Sequence, residues 1–310
     1  MQSDPLHGLQ VFERGWLSSN NVLIHPAAGE PGAVLVDTSH VNHADLTLSL
    51  VREALAGRPL ARIVNTHLHS DHCGGNATLQ RAFGVPIDIP PGQADAVARW
   101  DDAELSYQAT GQRMERFRHD AVLQPGVPWR AGGRDWEVIA APGHDPHMVM
   151  LFDRSQRVLI SADALWENGF GLVFPEIAGE PGFDDVAAVL DRIEQLDARI
   201  AIPGHGAPFG DVPAALARAR SRLAAFRADP DRHLRHGIKV LLKYHLMEER
   251  VQHRDAARDW ALTMPLFRSA WQQLGGASAE DWFDRMLAEL VQSGALRLEG
   301  DRVHDVAPAG

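Results

Sequence analysis

Cysteine is almost missing from this sequence: Cys73 is the single one in 310 residues. No intrachain disulfide can form, so packing or bound ions must hold the fold, and a reducing cytoplasm is the expected compartment. Long apolar runs are missing too. Nothing approaches the roughly 18 uninterrupted apolar residues of a membrane span, so no membrane segment is expected. Residues 1–8 carry neither a basic n-region nor an apolar stretch, so no secretory signal is expected either. Basic charge is in deficit, with 30 Lys and Arg against 41 Asp and Glu and a formal net charge of −11. That balance removes the basic footprint of nucleic-acid binders and repels phosphate backbones at long range, so nucleic acid is not an expected partner. Tyrosine is scarce, with only Tyr107 and Tyr244 available to any mechanism that needs a phenol.

Histidine, by contrast, is plentiful at 16 residues, and its placement is what matters. A chain of 34.0 kDa can bury a large core. It fits one large domain, or a domain of about 200 residues with a smaller one attached. The first two-thirds alternates short β-rich runs with Gly/Pro breaks. Strands are expected over residues 21–25, 33–37, 62–65, 86–89, 136–140, 148–152, 157–161 and 199–202. Helical spacing appears over 44–55, ending near Gly57, over 93–117 and over 183–196. This interleaving predicts an α/β class. From about Val212 the texture turns helical, with helices expected over 213–228, 233–250 and 281–293. Residues 295–306 then read as a hairpin around Glu299-Gly300-Asp301. The expected organisation is a catalytic domain over 1–212 and a helical, winged-helix-like domain over 213–310.

The chemistry concentrates in Thr66-His67-Leu68-His69-Ser70-Asp71-His72, directly after the apolar pair Ile63-Val64. Imidazole and carboxylate are the donors that suit zinc and related ions, and a loop can turn adjacent residues into one cleft. Three more strand ends repeat the logic. His144 follows Val138-Ile139-Ala140, Asp163 follows Val158-Leu159-Ile160, and His205 follows Ile200-Ala201-Ile202. Each ligand-capable side chain stands just past a buried strand, where loops converge around a rigid core.

His67-x-His69-x-Asp71-His72 with later His144, Asp163 and His205 resembles the metallo-β-lactamase superfamily in its glyoxalase II-like branch, over roughly residues 10–210. The resemblance implies an αββα sandwich followed by the small, mainly helical winged-helix-like segment. It implies one metal on His67, His69 and His144 and a second on Asp71, His72 and His205, bridged by Asp163. Two Zn²⁺ ions are the expected cofactors, with iron or manganese also acceptable to these donors. Asp71 would be catalytic as well as a ligand. Asp37 either ends its strand as a cap or fixes a ligand imidazole, and His147 would stand beside the ligands without binding metal.

Departures from the family narrow the branch. A carboxylate at Asp163 in place of a thiol argues against the cysteine-containing β-lactamases, and His69 in place of glutamate against the flavodiiron type. About 40 residues between Asp163 and His205 leave no room for the insert of the nucleic-acid-processing branch. Trp166, Phe170 and Phe174 follow the bridging Asp around two glycines and are read as pocket wall or plain core, with Tyr107 as a further pocket residue. The C-terminal piece resembles the winged helix of the beta-lactamase-like protein 2 group. Its last helix is more acidic than basic, so packing, homodimerisation or covering the active site is its expected role. The leading expectation is hydrolysis of a small acyl thioester, with phosphodiester or RNA cleavage and lactone hydrolysis as alternatives.

Overall fold

The computed structural model describes residues 4–275 and 278–307. The start of the segment read above for a secretory signal, residues 1–3, lies outside them, as do 308–310 at the end of the expected second domain. Two sheets dominate. The first has the strand order β1 (Leu9–Phe12), β2 (Asn21–Ile24), β3 (Ala33–Val36), β4 (Leu60–Val64), β5 (Ile87–Ile89) and β6 (Ala121–Val122). Its β1–β3 pairs are antiparallel and its β3–β6 pairs parallel. The second has the order β11 (Ile200–Pro203), β10 (Val158–Ala162), β9 (Val149–Asp153), β8 (Arg134–Ala140), β7 (Pro128–Ala131), antiparallel except for β10 with β11.

The strands read as near-continuous apolar runs because both of their faces are covered. Alternation sends Val22, Ile24, Val34, Val36 and Val64 of the first sheet against Trp136, Val138, Leu151, Val158 and Ile160 of the second. The intervening Leu23, Leu35 and Ile63 point the other way, against α1 (Ala44–Leu55), α2 (Ser70–Cys73), α3 (Asn76–Phe83) and α4 (Ala94–Arg99). On the far side Leu159, Met150 and Phe152 meet α7 (Phe183–Leu196) and α8 (Val212–Ala228). The result is the helix–sheet–sheet–helix order implied by the family resemblance. Trp136 is fully buried between the sheets with its indole N–H on the Ala131 carbonyl at 3.2 Å. Truncating it to Ala should cost about 3–5 kcal/mol.

Local chemistry explains most element ends. α1 buries Ala44, Thr47, Val51 and Leu55 on one face and stops at Ala56 and Gly57, both in the left-handed region. α8 starts where the Asp211 side chain accepts the Ala214 N–H and Pro213 fills the first turn. One expectation fails. Residues 93–117 are not one helix but a 3₁₀ turn at Pro91–Gln93, α4, a break at Trp100, and the single turn α5 (Tyr107–Thr110). Trp100 and Ser106 adopt positive φ, and Gly111 ends α5 in the same way. The scattered apolars here anchor an irregular segment to the core instead of forming a helical face.

The C-terminal elements are α9 (Pro230–Glu249), β12 (Val251–His253), α10 (Arg254–Thr263), α11 (Pro265–Leu274), α12 (Ala279–Gln292), β13 (Leu296–Glu299) and β14 (Arg302–Asp305), and the short α6 (Phe174–Ala178) of the main fold packs on them. The expected hairpin is β13–β14, and β12 adds to it in the order β12-β14-β13. Their core, with Phe267, Trp282, Phe283 and Leu242 fully buried, continues through Leu172 and Ile177 toward the main fold. Buried α8 residues from Val212 to Phe226 belong instead to the core of the second sheet. No described helix is long and apolar enough to cross a membrane.

Candidate metal centre and its cavity

All seven ligand-capable residues collect at one edge of the sandwich, past the ends of β4, β8, β10 and β11, in two groups. His67, His69 and His144 form the first; Asp71, His72, Asp163 and His205 form the second. The loop after β4 is fixed by buried polar bonds. Thr38 Oγ1 donates to Asn76 Oδ1 at 2.8 Å, Asn76 Nδ2 to Asn65 Oδ1 at 2.7 Å, and the Val149 N–H to the Thr66 carbonyl at 2.9 Å, which ties the loop to the second sheet. Ala162, before Asp163, has φ +46° at a register shift between β10 and β11, which turns the carboxylate out of the strand. Gly204 must be glycine: a Cβ there would lie 2.0 Å from Asp163 Oδ1 and 3.0 Å from His72 Cε1.

The outer nitrogens of the histidines show which inner atoms are bare. His144 Nδ1 donates to the Leu172 carbonyl at 2.6 Å, leaving Nε2 as a lone pair. Thr66 Oγ1 gives its proton to Asp37, so it accepts from His67 Nδ1 at 3.2 Å and leaves His67 Nε2 bare. His69 Nδ1 sits between them, 3.1 Å from His67 Nε2 and 2.8 Å from His144 Nε2, while its own Nε2 faces Asp145 Oδ2 at 3.7 Å. Three inward lone pairs at these separations repel one another unless a cation stands between them. Burial first, and neighbouring histidines after it, hold His67 well below the usual imidazole range and His144 at about 4, so both stay neutral.

The second group is acidic. His72 Nδ1 donates to Asp37 Oδ2 at 2.8 Å, and its Nε2 is a buried atom with no hydrogen-bond partner, 3.4 Å from Asp163 Oδ1 and 3.8 Å from Asp71 Oδ2. His205 Nε2 lies 3.0 Å from Asp71 Oδ2. Asp163 Oδ2 reaches both groups, at 3.4 Å from His144 Nε2 and 3.9 Å from His205 Nε2. Burial opposes charge on all of these, but Asp163, Asp71 and Asp37 together outweigh it and raise His72 well above its usual range. Burial likewise works against Asp71, yet His72 and His205 bring it to about 2. Positive charge is thus favoured where His72 meets the carboxylates, and the N/O donor set fits two divalent cations.

Beside the groups lies a cavity of about 340 Å³. Trp166, Phe170 and Phe174 are in its wall. Trp166 donates its indole N–H to Asp163 Oδ1 at 3.2 Å, and Phe174 lies against His69 and His144. Asp37 accepts from Thr66 N at 2.9 Å, Thr66 Oγ1 and His72 Nδ1, at φ +60°. Two expected residues stand elsewhere. Tyr107 does not reach the cavity: it is buried behind the β4 loop, with its hydroxyl donating to the Leu68 carbonyl at 2.9 Å and 3.7 Å from the Cys73 sulfur. His147 is half-buried with its ring over Gly92, and its backbone N–H donates to Asp145 Oδ1 at 2.7 Å. The carboxylate of Asp145, two residues earlier, is the group beside His69.

The remaining wall is distant in sequence. α9 supplies Val240, Leu241, Tyr244 and Met247, and Trp16 stacks on His205. Tyr244 shares a 2.9 Å hydrogen bond with Ser70 Oγ, and burial, reinforced by Asp71, pushes its phenol well up, so it stays protonated. The end of α9 is pinned by a buried pair, His40 Nε2 to Glu248 Oε1 at 3.0 Å. These positions give only a generic apolar helix face in the sequence. Tyr244 and Asp145, a phenol and a carboxylate next to a ligand, were the two legible hints.

An αββα sandwich with paired His/Asp groups at one edge defines a class of metallo-hydrolase, and the chain belongs to the metallo-β-lactamase superfamily, whose family model matches residues 14–205. Over 229 residues the chain is 28% identical to the acyl-coenzyme A thioesterase MBLAC2 of Homo sapiens, covering 64% of this chain and 78% of that one. It is 32% identical over 154 residues to a hydroxyacylglutathione hydrolase of Rhodopseudomonas palustris, covering 49% of this chain and 50% of that one. The metallo-beta-lactamase family protein TTHA1429 from Thermus thermophilus shares the fold with a TM-score of 0.57 at 22% identity, over 98% of this chain and 100% of that one.

Proposed function

We propose that this protein hydrolyses small acyl thioesters with a dinuclear metal centre. The observation that carries the reading is the pair of convergent donor groups, joined by Asp163 and opening on a cavity walled by aromatic and aliphatic side chains. The names of the thioesterase and hydroxyacylglutathione hydrolase relatives support the substrate class. His67, His69 and His144 would hold one ion, Asp71, His72 and His205 the other, with Asp163 shared. Two Zn²⁺ ions, or iron or manganese on the same donors, would supply Lewis acidity and a hydroxide nucleophile near neutral pH.

The chain's own residues do the rest. Asp71, ionised far below neutral pH, is placed to take a proton at its carboxylate and return it to the leaving sulfur as the C–S bond breaks and the C–O bond forms. Asp37 holds His72 in the tautomer that keeps Nε2 bare. Trp166, Phe174 and the α9 face exclude water around the acyl group. Several C-terminal cations are paired with acids, among them Lys239 with Glu289 at 2.8 Å and Arg254 with Asp284 at 2.7 Å, and the chain is acidic overall, which favours a small molecule over RNA and a packing or covering role for this region.

The test is a side-by-side assay of metal-quantified protein on acyl thioesters, lactones and RNA in one buffer. Thioester cleavage should track metal content and disappear together with it in His69→Ala and Asp163→Ala. Cleavage of RNA or lactone by fully loaded protein that leaves thioesters intact would overturn the reading.

A further inference from the structure

At the cavity wall stands a cation that no carboxylate among the described residues neutralises. Arg222, from α8, is half-buried, lines the cavity and forms no ion pair among the described residues. Its one hydrogen-bond partner there is His236 Nε2, which accepts from Nη2 at 3.1 Å. Its guanidinium carbon lies 5.5 Å from the Phe170 ring centre and 5.3 Å from that of Phe226. These rings hold the charge in place without accepting any of its N–H bonds. His236 is neutral near pH 7, since burial first and Arg222 next bring it to about 4, so it orients the guanidinium without cancelling its charge. Burial lowers Arg222 with no carboxylate opposing it.

The other cationic group of the wall is already satisfied. Lys243 Nζ is bound by Asp305, by the Ala295 carbonyl at 2.8 Å and by the Val306 carbonyl at 2.9 Å. Arg222 therefore differs from the rest: a guanidinium carries five N–H donors, and only one is used here. A plain packing role would leave a partly desolvated charge with only two ring faces and one hydrogen bond to offset it. An anion brought by the substrate supplies the missing partner, and the planar fork suits a carboxylate or phosphate bidentately. The link to the reacting end is short in sequence: Trp166, bonded to Asp163, and Phe170, under Arg222, lie on one loop closed by the Trp166–Gly169 bridge.

We propose that Arg222, oriented by His236, is a specificity-determining residue that receives a carboxylate or phosphate of the substrate in the cavity beside the two donor groups. The inference rests on the thioester reading for its substrate class, not for the anion site itself. The anion can belong to the acyl part or to the thiol carrier, and the two sources separate experimentally.

Succinyl and butyryl thioesters of N-acetylcysteamine, a neutral thiol, differ in an acyl carboxylate. Butyryl thioesters of 4′-phosphopantetheine and pantetheine differ in a carrier phosphate. In wild type, kcat/KM should favour the anionic member of one pair by about tenfold or more, the worth of a charge-assisted hydrogen bond. Arg222→Met should bring that ratio to near one, with Arg222→Lys between the two. The lysine variant also carries the test should the methionine variant not fold. A wild-type ratio near one in both pairs, or a ratio unchanged in the variants, overturns the proposal. If loaded wild type turns over no thioester, the substrate class is wrong. Calorimetric binding of succinate against butyrate, and of inorganic phosphate, then decides the anion site: binding weakened about tenfold in Arg222→Met upholds it, and equal binding removes it.

Discussion

Asp37→Asn is the sharpest probe of how the fold sets up the centre. The amide matches the carboxylate in size, and asparagine tolerates the φ of +60° that Asp37 adopts, so the backbone is undisturbed. The change falls on the hydrogen bonds. One carboxylate oxygen accepts the Thr66 N–H at 2.9 Å; the other accepts both Thr66 Oγ1–H and His72 Nδ1–H at 2.8 Å. An amide keeps one acceptor and turns an NH₂ toward two donors. His72 relieves that clash by moving its proton to Nε2, the atom that must stay bare toward Asp163. Loss of such an outer partner typically costs about 10–100-fold in metal affinity. Exchanging charge-assisted for neutral bonds should take a further 1.5–3 kcal/mol, roughly, from the metal-free fold. Chelator competition with metal counting should show the Asp71/His72/His205 position emptying first, with the His67/His69/His144 position retained. Metal affinity within about twofold of wild type in a folded Asp37→Asn protein would refute the reasoning.

Gly204→Ala tests the packing of the same centre: its Cβ would sit 2.0 Å from Asp163 Oδ1, so Asp163 must shift, and activity should fall about 100-fold while circular dichroism is unchanged. Glu248→Ala removes the hydrogen-bond partner of buried His40 and should cost about 1.5–3 kcal/mol in urea unfolding, with α9 loosened over the cavity. His233 is brought to about 4, chiefly by burial, from an unfolded value of 6.5. A folded pKa below the unfolded one gives stability that is full above pH 6.5 and lost as pH falls toward 4. Between pH 8 and 5 this amounts to about 2 kcal/mol. In chelator-treated protein, His233→Gln should lose that much less than wild type over this range, and parallel pH profiles would count against it.

The main sandwich was legible because its strands are buried on both faces. All eight expected strands appear within about two residues of their bounds, the period of the apolar runs leaving little choice. The strands missed are edges or short pieces. β1 is a partly buried edge, β6 is two exposed residues, and β7 begins at Pro128, which cannot donate to a ladder. The seven donors were legible because each follows a buried strand, a local signal. The cavity was only half legible. Trp166, Phe170 and Phe174 are close in sequence to Asp163, but Trp16, Arg222 and the α9 face arrive by long-range packing that no spacing records. Tyr107 misled because it stands where a helical stretch is interrupted and so reads as facing the cleft, yet its hydroxyl turns to the Leu68 carbonyl.

α9 belongs to two structures at once. Its inner face closes the cavity over the donor groups, while Leu242 and Leu246 on the same helix anchor the C-terminal core. The donor atoms and the cavity wall are therefore written in partly different stretches of the chain, the first in loops after β4, β8, β10 and β11, the second shared between the loop after Asp163 and residues beyond 212. Variation in the C-terminal stretch can retune what enters the cavity without touching a donor atom. A hybrid that takes residues 213–307, Arg222 included, from a relative would be expected to shift toward that relative's substrate range while keeping this chain's catalytic step.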